Sequence, residues 1–165
     1  FMSDNLIDAK MGYRQMNIVI EKAETLPTQM QVLADSAAQD GFQFLHRLIE
    51  DYTNGKNRFT ETGEFFLTAY DDEKLVACGG LNIQHSDNGE PSRIGRVRLF
   101  YVLPEYRKHG IGKQLLLKLE SMAKPQFSAL CLNTHTKQAE IFYQKQNYVY
   151  VENHSNYNYF KYLIQ

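Results

Sequence analysis

The residues best suited to chemistry lie in one stretch, VLPEYRKHGIGKQLL, between Val102 and Leu116. An apolar segment leads into a turn that carries Arg107, Lys108, His109, Gly110, Ile111, Gly112 and Lys113, and a leucine-rich segment follows. Apolar spacing predicts a helix from Ile111 onward. The first N–H groups of a helix have no intrahelical partner, and the helix dipole is positive at that end. Glycines let the backbone curl closely around a ligand, and Arg107, Lys108 and Lys113 add positive charge. This combination is a binding site for an anion of pyrophosphate type. A helix start with two incidental glycines is the plainer reading of the same residues.

Two known phosphate loops fit poorly. The nucleotide P-loop requires glycine where Arg107 stands, and Ser or Thr where Gln114 stands. The dinucleotide fingerprint requires a third glycine where Leu115 stands. A second stretch, AEIFYQKQNY, places Ala139, Phe142, Tyr143 and Gln146 on one helical face. By periodicity alone Tyr143 reads as a core aromatic.

The elements that must hold these residues follow from period and punctuation. Residues 15–22, 64–70, 75–83, 93–102, 127–132, 148–152 and 157–164 read as strands. Thr28 is placed to cap a helix with Met30, Leu33, Ala34, Ala37 and Ala38 inward, broken by Gly41. A second helix turns Phe42, Leu45, Leu48, Ile49 and Tyr52 inward and stops at Gly55. Residues 55–63 read as a polar loop, and residues 86–92 as a turn cluster. Residues 111–123 and 136–146 read as two further helices. The helix over 111–123 joins two strands that should be parallel, whereas the hairpins imply antiparallel pairs. The expected architecture is α/β (α+β), a mixed and mostly antiparallel sheet of about seven strands with helices on both faces. One domain spans residues 1–165, with residues 1–12 peripheral.

RVRLFYVLPEYRKHGIGKQLL resembles the core motif of the GNAT superfamily of N-acetyltransferases, with Val102, Pro104, Tyr106, Arg107, Gly110 and Gly112 matching position by position. AEIFYQKQNY resembles the family's second motif, with Asn147-Tyr148 in place of the usual Gly-Phe. Asn tolerates the left-handed helix end that glycine usually takes, and Thr136 replaces a frequent Asn as the cap.

The resemblance implies a cofactor and a set of roles. Acetyl-CoA is the expected co-substrate, with its pyrophosphate on the N–H groups of residues 107–113. Backbone groups near Tyr101 and Val102 would pair with the pantetheine arm, and Asn133 would contact that arm. The strands ending at Val102 and Leu132 should splay to admit the thioester. A backbone N–H near Val102 would meet the developing oxyanion, and Tyr143 would protonate the departing thiolate. The expected activity is acetyl transfer to a primary amine of a small molecule or peptide by direct attack on the thioester. A non-catalytic acyl-CoA sensor is the alternative, because the strand over 93–102 carries no acid. Glu21, Glu64, His85 and the tyrosines of the last two strands are unranked candidates for the general base. Residues 52–63 and the tyrosines from Tyr148 to Tyr162 are expected to shape the acceptor site. Arg96 and Arg98 share a strand face, either as paired structural charges or as a preference for an anionic acceptor.

Composition sets outer bounds. The 165-residue sequence has a formal net charge of -1, which argues against a dedicated nucleic-acid binder. It holds no long uncharged apolar run, so no membrane association is expected. The start FMSDNLIDAKMGYR lacks the marks of a secretory leader, and the expected location is cytoplasmic. Cys78 and Cys131 sit in apolar segments and read as reduced core residues. The five histidines lack metal-ligand spacing, and no metal is expected. A homodimer is compatible with the sequence.

Overall fold

The computed structural model describes residues 15–90 and 92–164. The expected peripheral segment, residues 1–12, lies outside them. Seven strands form one sheet: β1 (Ile18–Lys22), β2 (Phe65–Asp71), β3 (Lys74–Ile83), β4 (Ile94–Val102), β5 (Ala129–Leu132), β6 (Val149–Tyr150) and β7 (Tyr159–Tyr162). Four helices accompany them: α1 (Met30–Gln39), α2 (Phe44–Asn54), α3 (Ile111–Ala123) and α4 (Lys137–Lys145). The strand order is β1-β2-β3-β4-β5-β7-β6, so β7 inserts between β5 and the edge strand β6. Only β4 and β5 pair in parallel, across the connection that contains α3. β5, with sequence ALCL, is buried along its whole length, as suits an inner strand covered on both faces.

Alternation along β4 assigns the helices to two faces. The Phe100 ring meets Phe142 and Tyr143 of α4. The next residue, Tyr101, meets Phe44 of α2 and hydrogen-bonds Ser36 of α1 at 2.7 Å. Thus α4 and α1–α2 cover opposite sides of the sheet. On the Phe100 side, Leu115 of α3 packs beside Gly79. A side chain at Gly79 would stand 2.8 Å from the Phe100 ring, so glycine is what admits that ring. The core joins Leu33, Leu45, Leu67, Leu81, Leu115, Leu119 and Leu130, all fully buried. Each such leucine contributes about 1.5–3 kcal/mol relative to an exposed one.

Several local expectations need correction. Thr28 does not cap α1. The cap residue is Gln29, and the helix grows from a backbone turn in which Met30 donates to Pro27. The Gln29 side chain instead pins the β2–β3 turn, donating to the Glu73 carbonyl and accepting from the Leu75 N–H, both at 2.9 Å. Phe42 precedes α2 and is exposed, with its ring beside that of Phe44. The polar loop over 55–63 buries Phe59 against Phe66. Its Asn57 makes that possible by accepting the Phe59 N–H at 3.1 Å. Two terminal signals act as read: Gly55 ends α2 at φ 84°, and Thr136 caps α4 by accepting the Ala139 N–H. Asn147 turns the chain after α4 at φ 72°.

Candidate active site

The site is built on an irregularity in β4. Gly80 opposes Arg98, but Cys78 opposes Tyr101, so Leu99 and Phe100 together face Gly79. This two-against-one count is a β-bulge, and Leu99 takes the left-handed region at φ 61°. Such a conformation is uncommon for a branched side chain and persists only where its surroundings hold it. Here the buried Cys78 thiol donates to the Leu99 carbonyl at 3.2 Å. Burial pushes that thiol's pKa far up, so it stays protonated and keeps donating.

Beside the bulge the sheet opens. β4 and β5 pair only at Ile94–Ala129, Gly95–Leu130 and Arg96–Cys131, whereas β4 runs on to Val102. Gly95 keeps the base of the opening tight, since a side chain there would meet Leu130 at 2.9 Å. Beyond Arg96 the β5-facing edge of β4 has no strand partner among the described residues. Leu103 donates its N–H to Val76 on the β3 side. Backbone groups alternate along a strand, so those of Val102 face the slot. Asn133 stands exposed just past the end of β5, with its amide 3.4 Å from His135 Nε2.

Tyr143 of α4 stands against β4. Its ring packs edge-on against Phe100, Phe142 and Tyr148. The residue is 6% exposed, yet no described side chain bonds its hydroxyl. No fully enclosed polar side-chain atom lacks a partner among the described residues, so this hydroxyl keeps some exposure to solvent. Burial of the ring raises its pKa well above the ordinary phenol value. The group is therefore a neutral proton donor across the physiological range.

The glycine-containing turn follows a short 3-10 turn, Pro104–Tyr106, anchored where the Tyr106 hydroxyl donates to buried Asp71 at 2.9 Å. Lys108 and Gly110 both take positive φ, 66° and 80°, and Gly110 is the cap residue of α3. The N–H groups of residues 108–113 have no protein acceptor among the described residues, and Lys108, His109 and Lys113 are exposed. Arg107 stands apart from the rest. Its N–H donates to Pro104, and its guanidinium folds back to the Val102 carbonyl at 2.9 Å and Asp40 at 3.1 Å. It also lies over the Tyr101 ring. The Tyr101 side chain is likewise engaged on the α1 side, by Ser36 and Asp40. By the same alternation the Tyr101 backbone groups face β3, so Val102 offers the slot its backbone groups, and residues 108–113 offer N–H groups and charge.

On the α2 face, Leu99 and Arg98 border a cavity of about 80 Å³ with Phe44, Arg47, Leu48, Asp51 and Asn57. Sequence reasoning singled out Arg98 and the segment 52–63 that holds Asn57, but missed Arg47 and Asp51. The spacing of Phe44, Arg47, Leu48 and Asp51 along one helical stripe was the available signal. Of the proposed bases, Glu64 is occupied by the N–H groups of Ile83 and Glu61. Tyr148 and Tyr159 are bonded to Glu120 and Glu140, away from the bulge.

The mixed seven-strand sheet, splayed between β4 and β5, is a fold of acetyltransferase type. Residues 62–150 match the acetyltransferase (GNAT) domain family, and the chain belongs to that family of N-acetyltransferases. Curated proteins gave no match. Among solved structures, a protein of Exiguobacterium sp. 255-15 provisionally named an acetyltransferase is 31% identical, with a TM-score of 0.77 over 89% of this chain and 94% of that one. The PaiA N-acetyltransferase of Thermoplasma acidophilum, solved with coenzyme A, shares the fold at 22% identity and TM-score 0.66, covering 89% of this chain and 99% of that one. The GNAT family N-acetyltransferase YhbS of Escherichia coli, solved with CoA, shares it at 13% identity and TM-score 0.67, covering 92% and 84%. No helix among the described residues is long and apolar enough to cross a membrane.

Proposed function

We propose that this protein transfers the acetyl group of acetyl-CoA to a primary amine by direct attack on the thioester. The observation that carries the reading is the juxtaposition at β4. The bulge at Leu99 and the slot-facing groups of Val102 lie at one opening in the sheet, and Tyr143 packs against Phe100 between them. The N–H groups of residues 108–113, with Lys108 and Lys113, suit the CoA pyrophosphate. The slot edge at Val102 suits the amide-bearing pantetheine arm, which would pair there as an added strand. For that pairing the Arg107 guanidinium gives up the Val102 carbonyl and keeps Asp40. Asn133, across the opening, is placed to meet the same arm.

In the reaction the amine nitrogen bonds to the acetyl carbon and the carbon–sulfur bond breaks. The Val102 N–H stabilises the oxygen that gains charge. The thiolate takes the Tyr143 proton, and Tyr143 recovers one from solvent. Asp51, in the cavity beside Leu99, takes the proton lost by the amine, directly or through water. β4 itself carries no acid, so a carboxylate from α2 fills that role. A screen of amines and peptides with acetyl-CoA, read by release of free CoA thiol, tests the reading. Thiol release that depends on the amine is expected. Tight acetyl-CoA binding with no release on any amine would overturn it.

A further inference from the structure

The cavity between α2 and β4 carries an imbalance of charge that neither the cofactor nor the acetyl group uses. Arg98 is half-buried there, and burial lowers its pKa. One of its N–H groups donates to Asn82 Oδ1 at 3.1 Å. Asn82 is itself fixed by a reciprocal amide pair with Asn57, at 3.0 Å in each direction. No carboxylate among the described residues lies within ion-pair distance of Arg98, and its remaining N–H groups have no described acceptor. Arg47, one turn before Asp51 on α2, faces the same cavity and has no side-chain partner among the described residues. The groups acting on Arg98 are Arg96 and Arg47 with like sign, and Asp51 and Glu64 with opposite sign. In the cavity lining itself two guanidiniums, Arg47 and Arg98, stand against one carboxylate, Asp51, and the Arg96 guanidinium is engaged elsewhere by Gln84 and the Asn156 carbonyl. A desolvated guanidinium held at one corner presents a planar fork for a carboxylate. The surroundings have room for such a group, since a cavity of about 80 Å³ admits several waters.

We infer that the acceptor amine carries a carboxylate, and that Arg98 and Arg47 hold it in the cavity beside Leu99. This rests on the proposed acetyl transfer and names the acceptor class for the same site. The excess of one positive charge suits a singly charged acid. Anchoring that acid on the α2 face leaves the amine end of the acceptor free to approach the thioester at the bulge. Arg98 and Arg47 act as specificity-determining residues, because an amine without the acid leaves the fork unpaired in a half-buried site.

The test compares matched pairs: glycine, β-alanine, γ-aminobutyrate and diglycine, each against its carboxamide. Thiol release gives kcat/KM, and calorimetric titration of the CoA-bound protein gives affinity. At least one acid should exceed its amide by about tenfold or more, the range of a charge-assisted contact. In Arg98→Gln, which can keep the Asn82 bond, the ratio should fall towards one, and in Arg47→Gln it should fall partway. Amides equal to or better than their acids, in turnover or in titration, would overturn the inference and leave acetyl transfer standing. Absence of thiol release on every amine would instead strike the proposed activity, and the titration would still decide the acid preference.

Discussion

Tyr143 packs edge-on against Phe100, with ring centroids 6.1 Å apart, one residue beyond the bulge at Leu99. This contact ties the second motif of the sequence to the irregular strand of the first. Gly79 makes it possible by leaving space for the Phe100 ring. The phenol is thereby held by packing, and no described side chain bonds its hydroxyl.

Tyr143→Phe should lower turnover by about 10²- to 10⁴-fold, the usual range for loss of a general acid. The dissociation constant of acetyl-CoA should change little, because the ring and its packing remain. Steady-state kinetics beside calorimetric binding separate the two. Unchanged turnover would remove Tyr143 from the reaction.

Asp51→Asn should reduce kcat/KM most at low pH, where the amine arrives protonated and needs a base. Folding should be little affected, since Asp51 is half-buried and lines a cavity. A pH profile of both proteins checks this. Identical profiles would exclude Asp51 as the base.

Lys161→Met should destabilise the fold by roughly 3 kcal/mol, the lower end for breaking a buried pair. Lys161 bonds both oxygens of buried Glu120, at 3.1 and 3.0 Å, and the Gln146 carbonyl at 2.9 Å. Its loss leaves the carboxylate with the Tyr148 hydroxyl as its remaining described partner. Urea unfolding measures the change.

Stability should decline above about pH 10. Burial raises the pKa values of Tyr143 and Tyr148 above their ordinary value of 10.0, and Glu120 raises Tyr148 further. A raised folded-state pKa means that the unfolded chain loses these protons first. The contribution is complete below pH 10 and is lost as pH rises further, at up to about 1.4 kcal/mol per pH unit for each tyrosine. Unfolding midpoints between about pH 9 and about pH 11 should show this, with a shallower fall in Tyr143→Phe.

Much of the fold was legible because its signals are local. Pro104, Gly110 and the leucines after it mark the turn and helix that follow β4, and Thr136 and Asn147 bracket α4. The bulge was not legible, since Leu99 sits in an apolar run and no glycine marks the positive φ there. Its cause lies across the sheet, at Gly79 and Cys78. The engagement of Arg107 with Asp40 was equally hidden, because the two residues are far apart in sequence. The placement of β7 between β5 and β6 depends on pairings that no local pattern encodes. The cavity beside Leu99 draws on α2, the loop after it and β4, so its charges meet only in the folded chain.

The most direct test is a single-turnover experiment with the protein and acetyl-CoA in equal amounts, following free thiol, acetylated amine and acetyl retained on the protein. Direct transfer predicts little thiol before an acceptor is added, then thiol and acetylated amine in equal amounts, with no acetyl group left on the protein. Thiol released before the acceptor with the acetyl group held on the protein would contradict it, as would no thiol with any acceptor.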